Sequence, residues 1–251
     1  MNSVEHGRVR VEQGAKRVRA VFGGRVVADT IHPLLVWEVP YFPTYYFPMA
    51  DVAARFLVQT PGTRHSPSRG TAKVASLRVG ERQAADAVLE YADSPIEELR
   101  DHIRLDWDVM DSWFEEDEEI FVHPRDPRVR VDVLASSRHV RVEVDGVTVA
   151  ETTSPRLLFE TNLPTRYYLP KVDVRLDLLE RSDTVTRCPY KGETEYYSVR
   201  IGDTVHPDLA WSYRTPLPES LKVAGLVAFT DEKVDTYVDG VRQERPETKF
   251  A

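Results

Sequence analysis

Residues 138–150 read RHVRVEVDGVTVA. Apolar and polar side chains alternate on both sides of Asp145-Gly146, the pattern of two half-buried strands joined by a two-residue turn. About 120 residues earlier the same pattern occurs. Val18-Arg19 stands for Val140-Arg141, Gly24 for Gly146, and Val27-Ala28 for Val149-Ala150. The register holds through Pro33/Pro155, Glu38/Glu160, Tyr45-Tyr46/Tyr167-Tyr168, Asp51/Asp173, Pro67/Pro189, Gly70/Gly192, Tyr91/Tyr213 and Leu99/Leu221. Chance does not sustain one register over such a distance, so a module of roughly 120 residues is written twice. A period this long marks a domain, not a stacking repeat.

The first copy is read as residues 1–127 and the second as 128–251, joined at His123-Pro124-Arg125-Asp126-Pro127, where two prolines break regular structure. Further alternation at Val172–Leu179 and Tyr196–Ile201 gives each copy at least five strands. Ser94-Pro95-Ile96-Glu97 has the form of a capping box with proline at the first helical position. Without gaps, Gly225 falls opposite Ile103 and the alternating Val227–Phe229 opposite Leu105–Trp107, which limits that helix to a short one followed by a strand. The expectation is a mainly β chain: two tandem sheet domains, each with a short helix, packed as a pseudo-twofold pair within a monomer.

The formal net charge of -8 argues against a nucleic-acid partner, because phosphate neutralisation needs clustered Lys and Arg. Cys188 is the only cysteine, so no intrachain disulfide forms and no oxidising compartment is implied. The N-terminal residues lack the apolar core of a signal peptide, and no run nears the ~20 apolar residues that span a bilayer. The reading is a cytoplasmic protein with no membrane partner. No His-x-x-x-His, Cys-x-x-Cys, phosphate-cradling glycine loop or Gly-x-Ser-x-Gly elbow occurs, so neither a metal nor a cofactor is expected.

The densest polar segment is Thr186-Arg187-Cys188-Pro189-Tyr190-Lys191-Gly192, read as a loop between strands. Cations at Arg187 and Lys191 would favour the thiolate of Cys188, and Lys191 would anchor an anion. The competing reading makes Cys188 a small buried hydrophobe and Lys191 a solvated strand-end charge. The first copy has Ser66-Pro67-Ser68-Arg69-Gly70 there: the turn-forming Pro and Gly stay, the reactive tips change, and a cation is kept. Tyr168, Trp211 and Tyr213 have the apolar bodies and polar tips that suit a small-molecule pocket, or they are core packing. Trp211, opposite Leu89, looks specific to the second copy. Glu160 and Glu38 end apolar runs and are read as a base or ligand anchor, or as ion-pair partners of Arg141 and Arg19. Asp51 and Asp173 are read as turn caps. His206, in a segment with turn composition, supplies the residue type for a dyad with Cys188. Glu115–Glu119 is read as a solvated acidic edge.

RHVRVEVDGVTVAET (138–152), RYYLP (166–170), TRCPYKGETEYYSV (186–199), AWSY (210–213) and VAFTDEKVD (227–235) together resemble the family called domain of unknown function 427. SPSRG (66–70) and WFEEDEEIFVHPRDP (113–127) resemble the first half of its tandem members. The resemblance covers nearly the whole chain. It implies a compact β-tent or Mss4-like sheet domain, without the zinc-holding cysteine pairs of some relatives of that fold. It places motif positions on Glu160, Tyr168, Cys188, Lys191, Trp211 and Tyr213. The family also carries a nucleotidyltransferase-like label, but the paired carboxylates that hold Mg²⁺ in such enzymes have no evident motif here.

The expected function is binding of a small anionic or planar ligand in a pocket of the second copy, lined by Lys191, Tyr168, Tyr190, Trp211, Tyr213 and Arg187. One alternative is an enzyme of transferase or hydrolase type with Cys188 as nucleophile or Glu160 as base. Another is a structural or protein-interaction module without catalysis.

Overall fold

The computed structural model describes residues 3–6 and 9–248. The chain divides into two units, Met1–Asp126 and Pro127–Ala251. The first contains β1 (Ser3–His6), β2 (Val9–Gln13), β3 (Val18–Phe22), β4 (Arg25–Thr30), β5 (Leu34–Val39), β6 (Phe42–Pro48), β7 (Leu57–Ser66), β8 (Gly70–Val79), β9 (Arg82–Glu90), β10 (His102–Leu105), β11 (Ser112–Glu115) and β12 (Glu118–Ile120). Among the described residues these form a large sheet in the order β1-β2-β5-β6-β10-β9-β8-β7 and a small one in the order β12-β11-β3-β4.

The second unit contains β13 (Val131–Ala135), β14 (Val140–Val144), β15 (Val147–Thr152), β16 (Arg156–Glu160), β17 (Arg166–Leu169), β18 (Leu179–Cys188), β19 (Gly192–Ile201), β20 (Thr204–Ser212), β21 (Val227–Phe229), β22 (Asp235–Val238) and β23 (Val241–Arg242). Its sheets repeat the plan as β13-β16-β17-β21-β20-β19-β18 and β15-β14-β22-β23. No helix among the described residues is long and apolar enough to cross a membrane.

The hairpins come from the predicted turn chemistry. Asp145 and Gly146 lie at φ 50 and 76, and Gly23 and Gly24 at φ 59 and 67, the left-handed pairs a two-residue turn requires. Asp51 and Asp173, expected as turn caps, instead tie their 3₁₀ turns to the sheet: each carboxylate accepts from the hydroxyl of Thr30 or Thr152 at 2.6 Å, and neither caps its own turn.

In the first unit the large sheet is buried on both faces at β5, which explains the unbroken apolar run there. Leu35 and Trp37 pack with Phe47, Leu77 and residues of the small sheet. Leu34 and Val36 face the other way, into a cluster with Tyr46, Leu89, Tyr91, Ile96 and Leu99. Glu38 follows Val36 with the same parity, so it ends that second face, next to Tyr46. Leu158 and Glu160 repeat the arrangement beside Tyr168.

Several expectations change. Val172–Leu179, expected as a strand, forms the 3₁₀ turns Lys171–Asp173 and Leu176–Leu178, because its amides bond locally to the Pro170, Lys171 and Arg175 carbonyls, and β18 begins only at Leu179. The short helices are 3₁₀ turns, Glu97–Leu99 and Pro218–Val223. Ser94 accepts from the Ile96 amide at 3.1 Å, only two residues on, so no capping box forms and the chain soon enters β10. The ungapped alignment slips at this turn. Ile103 pairs with Phe47 and Val227 with the equivalent Leu169, so the counterpart of Ile103 is Val227, not Gly225. His206 lies within β20, not in a turn. Finally, Glu115 leaves the acidic edge: it is buried, accepts from the Tyr45 hydroxyl at 2.5 Å and pairs with Lys16 at 2.5 Å.

Candidate functional site

Cys188 ends β18 opposite Gly192 at the start of β19, leaving Pro189-Tyr190-Lys191 as a three-residue turn. Ser66 opposite Gly70 repeats this turn. Gly192 and Gly70 lie at φ 97 and 86, which excludes most side chains, and proline presets the entry of the turn. The Leu217 amide donates to the Lys191 carbonyl at 3.0 Å and fixes the turn against the following segment.

That turn brings Lys191 to Glu160, with which it forms an ion pair. The two side chains are only 13% and 8% exposed. Neighbouring strands supply the wall. Ala228 on β21 pairs with Tyr168 on one side and with Trp211 on the other. Its small side chain lets the flanking rings meet edge-on, 6.4 Å apart, and the Trp211 indole N–H donates to the Tyr168 hydroxyl at 3.3 Å. Tyr213 packs against Tyr168 at 6.5 Å and shares a hydrogen bond with buried Thr194. Burial raises the pKa of both tyrosines, so both hydroxyls stay protonated.

The first unit builds the same site from different parts. Glu38 pairs with Arg69, the counterpart of Lys191, but it also accepts from Arg104 at 3.1 Å and from the Tyr46 hydroxyl at 2.7 Å. Arg69 donates to the Tyr46 oxygen at 3.1 Å and lies over Tyr91, 5.4 Å from the ring centre. Arg104 occupies the sheet position of Ala228: it pairs with Tyr46 and with Leu89, as Ala228 pairs with Tyr168 and Trp211. The copies thus exchange a large-small pair, Arg104 beside Leu89 for Ala228 beside Trp211.

This exchange changes the state of the carboxylate. Glu38 holds three donors. Glu160 holds Lys191 alone among the described residues, and its Oε1 takes no protein donor and is not sealed from solvent. Neither Arg19 nor Arg141 partners these carboxylates. Arg19 pairs with Asp117 and Arg141 with Glu143, both on the small sheets, so the strand-end geometry selects the turn cation instead.

Lys191, Glu160, Tyr168, Trp211 and Tyr213 are therefore brought together, with half-buried Cys188 and Tyr190 at the turn. Arg187 points away from this group, because side chains alternate along β18, and it pairs with Glu193. With Arg187 bound to Glu193 and Lys191 to Glu160, neither flanking cation of Cys188 is uncommitted. The His206 Nε2–H donates to the Asp145 carboxylate at 2.8 Å, at the far end of β19, roughly 20 Å along the strand from the Cys188 turn. The two cannot form a dyad. Among the described residues no His, Cys, Asp or Glu side chains converge as a metal-ligand set.

A second polar group was not foreseen. Arg166 on β17 pairs with Glu232 and donates to Asp231 at 3.1 Å, and its guanidinium lies 5.8 Å from the Trp211 ring centre. Asp231, buried, also accepts from Thr236 at 2.8 Å. Burial pushes the Asp231 carboxyl up to about 6 against the opposing pull of Arg166. Asp231 and Thr236 line a concavity of about 80 Å³ with Tyr167 and Gln243. In the first unit Trp107 and Trp113, stacked at 4.6 Å, line a concavity of about 210 Å³. The sequence signal for this group was the adjacent Asp231-Glu232, one residue past the buried strand β21.

These features define a class: a tandem β-sheet module in which each copy sets a Glu-cation pair and two tyrosines beneath a Pro-Gly turn. The family model described as domain of unknown function (DUF427) matches residues 10–116 and again 132–240. The chain belongs to that family, in a tandem two-copy form. No curated protein matches it.

Proposed function

We propose that the second unit binds a small anionic or planar ligand over the Glu160–Lys191 pair, in a protein that acts in the cytoplasm as a monomer. One observation carries this reading: Glu160 retains one protein donor where its counterpart Glu38 holds three. A largely buried carboxylate with an unfilled oxygen, beside an ammonium with two uncommitted N–H groups, is an arrangement that proteins complete with a partner. The pair offers one acceptor and further donors, which suits a planar group such as a carboxamide or carboxylate. Trp211 and Tyr190 give the apolar and aromatic flank such a ligand needs. Cys188 donates no hydrogen bond to a base among the described residues, which favours binding over nucleophilic catalysis.

The test is a thermal-shift comparison using benzoate and benzamide as probes. A ligand that binds only the folded state stabilises it by an amount that grows with the logarithm of its concentration above Kd. The wild type is expected to gain stability with at least one probe, and Glu160→Gln and Lys191→Met to lose that gain. The double exchange Trp211→Leu with Ala228→Arg, which installs the first unit's arrangement, is expected to fold and to ignore both probes. Equal stabilisation of all variants would remove the proposal.

A further inference from the structure

The exchange that leaves Glu160 short of donors has the opposite consequence in the first unit. Arg104 and Arg69 both converge on Glu38, and their side chains remain 21% and 16% exposed. Arg64 joins them. It pairs with Ala72 across β7 and β8, and Ala72 packs in the cluster that holds Tyr46 and Tyr91, so Arg64 rises from the same face. At the three matching positions the second unit has Thr186, Lys191 and Ala228. Arg64, Arg69, Arg104 and Glu38 all act electrostatically on Tyr91, so three guanidinium groups share this face with one carboxylate, whereas in the second unit one cation balances one carboxylate.

The donors are also open. Among the described residues Arg64 has no acceptor, Arg104 uses only its Nε, and the Nη2 of Arg69 is unengaged; none of these nitrogens is sealed from solvent. Uncompensated guanidinium groups with planar forks match an oxyanion carrying two charges. We propose that Arg64, Arg69 and Arg104 of the first unit form a binding site for a phosphate group, either free or as the monoester of a small molecule. Glu38 and Tyr46 hold the arginines in place and do not touch the anion. The site is independent of the ligand proposed for the second unit.

Calorimetric titration of the full chain with inorganic phosphate and with phenyl phosphate tests this, with chloride at matched ionic strength as the reference. Saturable binding is expected. Arg64→Thr and Arg104→Ala, which install the second unit's residues, are each expected to weaken it about tenfold. Arg64 is exposed and has no hydrogen-bond or ion-pair partner among the described residues, so Arg64→Thr keeps the test valid if Arg104→Ala disturbs the Glu38 cluster. Tighter binding of phenyl phosphate points to a monoester, and equal or weaker binding to free phosphate; either supports the site. No binding beyond the chloride reference, or binding unchanged in Arg64→Thr, overturns it.

Discussion

Lys191 reaches across 31 residues of chain to pair with Glu160, and it is the only protein donor that Glu160 holds among the described residues. Two largely buried charges depend on each other here, and breaking such a pair by removing one partner leaves the other uncompensated. Lys191→Met is expected to lower the unfolding free energy by about 3 kcal/mol in urea denaturation. Replacing both, Glu160→Leu with Lys191→Met, is expected to restore most of that loss. A double variant as unstable as the single one would show that the pair is not the reason for the cost.

The two Pro-Gly turns differ in how tightly they are packed. A Cβ on Gly70 would meet the Pro95 ring at 3.0 Å, whereas one on Gly192 would find its nearest neighbour at 3.5 Å. Both glycines have a left-handed φ, so alanine costs about 1–2 kcal/mol at either position. Gly70→Ala is expected to destabilise more than Gly192→Ala in thermal unfolding. Equal effects would mean the Pro95 contact relaxes freely.

Asp231 makes a pH prediction. Its carboxyl, ordinarily near 3.8, is held at about 6 by burial, so the folded chain keeps a proton that the unfolded chain releases. Its contribution to stability is therefore complete below 3.8 and is lost as pH rises to about 6. Asn cannot titrate, so the melting temperature of Asp231→Asn is expected to change less across that window than that of the wild type. Glu232, which shares Arg166, is held down to about 2 from the ordinary 4.5, so its own contribution changes below about 4.5 and the comparison is read between there and about 6. Parallel curves would contradict the assignment.

Much of the fold was legible because it rests on local rules. Alternation around Asp145-Gly146 gave the hairpin, and the repeat register gave the two units. The helix at Ser94 was misread because its length is limited by the return of the chain into β10, a tertiary constraint. The site was only half legible. Glu160, Tyr168, Cys188, Lys191, Trp211 and Tyr213 stood out by type and by copy comparison. The partner of Glu160 did not, because it is set by strand order and not by spacing in the chain. Arg104 was invisible for a related reason: the ungapped register set it opposite Leu226, hiding the exchange with Ala228. Arg166 and Asp231 are joined only across the sheet.

Trp211 is the sole tryptophan of the second unit; the other three, Trp37, Trp107 and Trp113, lie in the first. Its indole N–H, bonded to Tyr168 beside Glu160, reports the proposed site directly. The decisive measurement is an NMR titration of ¹⁵N-labelled protein with benzamide and benzoate, following the four indole resonances. The Trp211 signal is expected to shift saturably with at least one probe while the other three stay in place. If the Trp211 signal stays fixed under both probes, or moves no more than those of Trp37, Trp107 and Trp113, the Glu160–Lys191 pair is not a ligand site.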